Sequence, residues 1–192
     1  MPIPKDGMCE IRWHGRGGQG AISSAQILAQ AAYSAGYRGV TSAPTFGAER
    51  RGAPVAASTR LSPNPLRIFS QIVHPDVVVV LDDTLLESAE PTAGLKDGGW
   101  LLINSPRRPD QFFADSMYSV ATADATKVAI DVGLVVAGSV IVNTAMLGVF
   151  ARATQLVSLD YIRRTIEAKF PPELARKNFE AARITYERTV LP

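Results

Sequence analysis

Trp13-His14-Gly15-Arg16-Gly17-Gly18-Gln19-Gly20 is the stretch from which the rest of the chain is best read. Before it, Met8 to His14 alternates as a strand does, with Cys9, Ile11 and Trp13 in step on an apolar face. After it, Ala21 to Ala35 is dense in small and apolar helix formers, and Gly36 is placed to end that helix. A strand, a glycine-rich turn and a helix in succession bring an open helix N-terminus to the end of a strand. Glycine permits positive φ and close approach of another backbone. The unpaired first-turn N–H groups and the positive end of the helix dipole favour an anion, such as a phosphate, or the backbone of a partner chain. Gly15, Gly17, Gly18, Gln19 and Gly20 are therefore the first candidate binding residues.

Outward from this turn, strands alternate with helices. Tyr37 to Ser42 reads as a second strand, Val55 to Leu61 as a third, and Leu66 to Phe69 as a short further one. Val77-Val78-Val79-Val80-Leu81 is the apolar, β-branched run expected of a central parallel strand covered on both faces. Asp82-Asp83 ends it, and Thr84-Leu85-Leu86-Glu87 has the spacing of a capping box opening a short helix. Gly99 to Asn104 and Met117 to Ala121 are the next strands. Helices are predicted over Asp124 to Asp131, Val140 to Ala153, Leu159 to Lys169 and Glu173 to Arg188. The alternation predicts an α/β fold, a three-layer Rossmann-like domain with a mostly parallel sheet. One domain over residues 1–192 accounts for the length, which buries roughly 70% of the unfolded surface.

By itself Gly15-x-Gly17-x-x-Gly20 satisfies the dinucleotide fingerprint, which also asks for an acidic residue about 20 positions on to hold a ribose hydroxyl. Residues 31–48 contain no Asp or Glu, and the second strand carries Arg38. A stand-alone NAD(P)-binding oxidoreductase, with Arg38 suited to a 2′-phosphate, thus stays open as one reading. A structural scaffold that binds no small molecule is another. His14, at the end of its strand, could titrate near neutrality. Asp82 and Asp83 lie where α/β sites gather, and Asn143 in an apolar helix needs a hydrogen-bond partner when buried.

The loop Phe46-Gly47-Ala48-Glu49-Arg50-Arg51-Gly52-Ala53-Pro54 keeps no helical or strand period. Glu49, Arg50 and Arg51 could hold a carboxylate or phosphate there, or form an internal pair that stiffens the loop. Taken with the turn at residues 14–20, this loop resembles the gamma subunit, or gamma domain, of 2-oxoacid:ferredoxin oxidoreductases. The G-x-G-G-Q-G turn and the G-x-E-x-R-G loop of that family stand here in order. The resemblance runs on through Val140 to Gly148 and ends with Lys177-Asn178-Phe179-Glu180-Ala181, so it covers nearly the whole chain.

The resemblance implies a subunit rather than a free-standing enzyme. Its complexes oxidatively decarboxylate pyruvate, a branched-chain 2-oxo acid or phenylglyoxylate on thiamine diphosphate. They pass electrons through iron–sulfur clusters to ferredoxin or NAD and deliver the acyl group to coenzyme A. It places thiamine diphosphate and the clusters on companion subunits, and leaves this chain to assembly and to the substrate and coenzyme A entrance. The residues agree, since the lone Cys9 cannot ligate a cluster by itself and no thiamine-type G-D-G motif occurs. No catalytic residue and no metal ligand is assigned to the chain.

A formal charge of +2, from 20 basic and 18 acidic residues, gives no footprint for nucleic acid. The uncharged stretch from Val132 to Ala151 is long enough to cross a bilayer, but Gly133, Gly138, Asn143 and Gly148 interrupt it, and a loop followed by a core helix fits it better. Pro2 and Pro4 stand where a signal peptide would be basic and apolar, so a cytoplasmic protein is expected.

Overall fold

The computed structural model describes residues 7–45, 52–68, 70–112 and 117–192. A six-stranded sheet forms its centre, built from β1 (Cys9–Arg16), β2 (Gly39–Thr45), β3 (Pro54–Ser62), β4 (Val77–Val80), β5 (Trp100–Asn104) and β6 (Ser119–Ala123). The strand order is β2-β3-β1-β4-β5-β6. β1, β4, β5 and β6 run parallel, whereas β3 runs antiparallel to both β1 and β2. The helices are α1 (Ala21–Ser34), α2 (Leu85–Ser88), α3 (Ala125–Asp131), α4 (Asn143–Thr154), α5 (Leu159–Lys169) and α6 (Pro172–Arg188).

β1 shows the strand period directly. Cys9, Ile11, Trp13 and Gly15 are buried on one face, and Glu10, Arg12, His14 and Arg16 are half-buried on the other. Trp13 anchors the first face: its indole N–H donates to Thr59 Oγ1 at 3.1 Å, and its ring lies 6.2 Å from that of Phe150. All helices except α2 contribute to this core. The smaller second core joins Val78, Val80, Leu101 and Ile103 to Leu85 of α2 and to Phe112. Both faces of β4 are therefore covered, as its unbroken valine run requires.

The uncharged stretch resolves into a core helix. Every residue of α4 except Arg152 is buried. Gly148 lets α4 lie against α6, where an added Cβ would sit 2.0 Å from the Ala182 carbonyl oxygen. Among the described residues no helix is long and apolar enough to cross a membrane.

Three expectations shift. Residues 140–142 are not helical, because β7 (Val135–Val136) and β8 (Ser139–Val140) form a hairpin before α4. Its central residues Ala137 and Gly138 have φ of 48° and 78°, the two positive angles of a twist-matched hairpin turn. β2 starts later and runs through Pro44 to Thr45, which it can do as an edge strand needing no donor from proline. Residues 66–68 form no strand, and Phe69 lies outside the described residues.

Candidate functional site

The turn between β1 and α1 sits where the chain leaves β1 toward β2 on one side of the sheet and returns as β4 on the other. Crevices of open α/β sheets form at such a reversal. Gly18 and Gly20 take φ of +100° and +92°, a region L side chains rarely enter. Gly20 is the N-cap of α1, and a Cβ there would lie 2.9 Å from Cβ of Asn143. Gly15 lets α1 and β4 close in: its Cβ would stand 3.4 Å from Cβ of both Ala21 and Leu81.

Not all of the turn's amides are available. Gly17 donates to the Ala53 carbonyl at 2.8 Å and accepts from Gly52 N–H at 3.1 Å, so the turn is bridged to the end of the β2–β3 hairpin. Gln19 N–H donates to the Arg16 carbonyl at 3.0 Å, while Gln19 Oε1 accepts from Arg16 N–H at 2.7 Å. The open donors lie one step on: α1 has no side-chain N-cap, which leaves Ala21, Ile22 and Ser23 N–H without intrahelical acceptors.

Arg16 and Asp82 lock the turn to the end of β4. Arg16 Nε donates to Asp82 Oδ2 at 3.1 Å, its Nη2 to Thr84 Oγ1 at 2.7 Å, and its Nη1 to the Gly52 carbonyl at 3.3 Å. Gln19 Nε2 reaches the same Asp82 oxygen at 3.0 Å. Partial burial pushes the Asp82 carboxyl up, but the donors from Thr84 and Gln19, with Arg16, outweigh it and hold the group below its ordinary value. Thr84 is thereby spent on Asp82, and the anticipated capping box does not form: α2 is a single turn with no side-chain cap.

A cleft of about 610 Å³ opens between this turn, the carboxyl ends of β4 and β5, and the β7–β8 hairpin. Its walls include three carboxylates, each already engaged. Asp82 holds the turn, Asp83 accepts from Ser105 Oγ at 2.8 Å and Arg107 Nη2 at 3.2 Å, and Asp124 caps α3 through Lys127 N–H at 2.8 Å. Asn104 ties β5 to β4 and α3 by donating to the Leu81 carbonyl and to Thr126 Oγ1, both at 2.8 Å. Val140 and Val142 give the cleft an apolar side. The arrangement suits an extended ligand with an anionic end at the Gly17–Gln19 turn, ahead of the α1 N-terminus, and an apolar or amide stretch beyond it. It presents no nucleophile paired with a base.

Of the candidates read from sequence, Gly17, Gly18 and Gln19 line this cleft, and Gly15 and Gly20 shape it from behind. Glu49, Arg50 and Arg51 lie outside the described residues, although Gly52, next to them, is on the cleft wall. His14 faces away, on the second side of the sheet, and is not poised near neutrality. Burial and then the charge of Arg12 push its pKa down to about 4. Cys9 is buried under the sheet, where burial drives its thiol pKa up, and it has no thiolate character to offer a cluster. Asn143 finds its partner locally, accepting from Thr144 N–H at 2.7 Å. Among the described residues no group of three or more His, Cys, Asp or Glu is placed to hold a metal ion. The hairpin wall and Asn104 were not anticipated. Asn104 at the end of an apolar strand, two residues before Pro106, was the available sign.

The strand order also bears on the dinucleotide reading. In that fold the ribose-binding residue ends the strand beside β1. Here antiparallel β3 occupies that place, and β2 lies two strand spacings from β1, about 10 Å away. The fingerprint in the turn thus lacks the neighbour that would make it a dinucleotide site.

A family model described as "Pyruvate ferredoxin/flavodoxin oxidoreductase" matches residues 10–188. The chain is 44% identical over 187 residues to the common gamma subunit of the pyruvate/ketoisovalerate oxidoreductases of Thermococcus litoralis, covering 96% of this chain and 98% of that one. It is 45% identical over 181 residues to pyruvate synthase subunit PorC of Methanothermobacter marburgensis, covering 94% and 97%. The crystal structure of the pyruvate oxidoreductase subunit PORC of Thermotoga maritima superposes with a TM-score of 0.81 at 38% identity, over 96% of this chain and 98% of that one. A cleft built on a glycine turn, in a chain matched over nearly its whole length by these subunits, leads to one assignment: the chain belongs to the pyruvate ferredoxin/flavodoxin oxidoreductase family.

Proposed function

We propose that the chain is the gamma subunit of a multi-subunit 2-oxoacid oxidoreductase, and that its cleft forms part of the coenzyme A entrance. The observation that carries the second half is the turn Gly17-Gly18-Gln19, which lines a 610 Å³ cleft and leads directly into the uncapped start of α1. Three first-turn amides and the helix dipole supply an anion site without a counter-charge. The carboxylates of Asp83 and Asp124, held on the wall away from the turn, keep phosphate groups toward it, while the charge of Asp82 on the turn is met by Arg16. Val140 and Val142 offer a surface for an uncharged arm. Coenzyme A has both parts, phosphates and a long amide arm.

The redox groups of the reaction belong, in this reading, to companion subunits. One buried thiol cannot serve as a cluster ligand set. Thiamine diphosphate, when bound on a companion, supplies the carbanion chemistry, and this chain's residues bind and orient what approaches it. Pyruvate and branched-chain 2-oxo acids are the substrate class favoured by the relatives' names. The acceptor, ferredoxin or NAD, is set by another subunit.

The test is steady-state kinetics of the reconstituted complex with Gly18→Ala and Arg50→Glu. Strain at a φ of +100° should disturb the turn. We expect the KM for coenzyme A to rise about tenfold, a loss of about 1.4 kcal/mol, with the KM for the 2-oxo acid less affected by Gly18→Ala. Normal assembly with an unchanged coenzyme A KM in both variants would reduce the turn to a packing device.

A further inference from the structure

The face of β1 turned away from the cleft core holds a second cavity, of about 410 Å³. Arg12 and His14 form its floor, small side chains of Ala43, Ala56 and Ser58 leave it open, and Gln71 stands at its side. Among the described helices only α2 lies on this side of the sheet, and its core cluster draws on β4, β5 and β6. The half of the sheet formed by β1, β3 and β2 therefore has no helix over it there.

The floor is electrically incomplete. Arg12 donates from Nη2 to the carbonyls of Pro91 and Ala93, at 2.6 and 2.7 Å, but its Nε is buried without an acceptor. No carboxylate among the described residues pairs with it. The nearest acid on its own strand, Glu10, is taken by Arg60 Nε at 2.8 Å. His14 Nε2 is likewise buried without a partner. Glu90 reaches the cavity only from the exposed rim. A half-buried guanidinium that meets no carboxylate, on a floor shared with His14, leaves uncompensated positive charge facing the cavity, which an anion entering it would balance. On either side in sequence of the lining residues Ser70, Gln71 and Ile72, the large apolar side chains of Ile68 and Val73 are exposed, the latter 63%. A charged recess whose neighbouring segment exposes large apolar side chains has the anatomy of a protein interface rather than of a small-solute site.

From this, and resting on the gamma-subunit reading above, we infer that the open face of β1, β3 and β2 docks a companion subunit of the complex, which inserts an acidic side chain onto Arg12 and His14.

The protein offers a convenient handle, because its native thiol, Cys9, is buried and Gln71 is exposed. A Gln71→Cys chain carrying a benzophenone maleimide is assembled into the complex and irradiated. Tyr33→Cys, at an exposed position on α1 on the other side of the sheet, is the comparison. Crosslinking to a companion chain should be at least tenfold greater from position 71. Equal or reversed yields overturn the inference. Arg12→Ala should raise the dissociation constant of the subunit from the rest of the complex at least tenfold, and an unchanged constant overturns it. Should that variant fail to fold, the crosslinks, which leave Arg12 in place, decide. Titration of the free chain with acetate or pyruvate, read on the His14 ring by NMR, gives the remaining arm. A saturable shift at millimolar ligand, with no crosslink at 71, assigns the recess to a small carboxylate instead. If no companion chain copurifies with the unaltered protein, the gamma-subunit reading falls. If companions copurify and position 71 stays unlinked, only the docking face falls.

Discussion

Among the described residues, His14 is the one whose titration the fold lowers on two counts, burial and a neighbouring cation. Its pKa falls from 6.5 to about 4 in the free chain. Between those values the unfolded chain carries the extra proton and the folded one does not. The stability linked to this ring is therefore fully present above pH 6.5 and is lost as pH drops toward 4. The separation corresponds to about 3 kcal/mol. Urea unfolding of the free chain at pH 7 and pH 4 should show the loss, and His14→Leu should flatten it. Two glycines separate backbone strain from crowding. Gly36 has φ of +104° with open space where a Cβ would go, whereas Gly20 combines +92° with Asn143 at 2.9 Å. Gly36→Ala should cost about 1 kcal/mol, from the left-handed backbone alone. Gly20→Ala should cost about 2 to 3 kcal/mol, because crowding against a buried helix start adds to it. Equal losses in denaturant melts would mean that the Asn143 contact relaxes freely.

At the scale of elements, the α4–α6 contact depends on a missing side chain. Gly148→Ala would place a Cβ 2.0 Å from the Ala182 carbonyl oxygen and 2.4 Å from Thr185 Oγ1. It should destabilise the fold by about 3 kcal/mol or more, measured by urea denaturation. The helix itself was readable from sequence, since an uncharged run broken by glycine and asparagine fits a core helix. So was the sheet's parallel half, from the valine run and the turn signals around it. The β7–β8 hairpin was not, because its turn is Ala137-Gly138 instead of the Asn-Gly or Asp-Gly that marks such turns. The glycine turn was legible as a site, but its spent amides were not. That Gly17 bonds to Ala53 is set by the register of β1 against β3, a pairing of residues some forty positions apart. Arg12 was equally silent: alternation put it on the outer face of β1, and only the fold shows that no carboxylate among the described residues pairs with it there.

For the whole molecule, the two faces of the sheet divide the labour. One carries nearly all the described helices and the large core, and on the other the described apolar cluster lies over β4, β5 and β6. The carboxyl edge between them bears the cleft, with Arg16 and Asp82 as its clasp. Asp82→Asn removes the charge from that clasp while keeping its shape. In the assembled complex it should raise the coenzyme A KM several-fold without dissociating subunits, as judged by size-exclusion chromatography. Loss of assembly instead would place the clasp at the subunit contact.

The double bridge between Gly17 and the hairpin end at Gly52 and Ala53 has a consequence for traffic. Two backbone hydrogen bonds and the Arg16 contact to Gly52 shut the cleft on its β3 side. The opposite wall is the β7–β8 hairpin, whose tip is held by one tight turn and a two-residue ladder. One wall of the cleft is thus a jamb and the other a door, and exchange rates should answer to changes in the hairpin before they answer to changes in the turn.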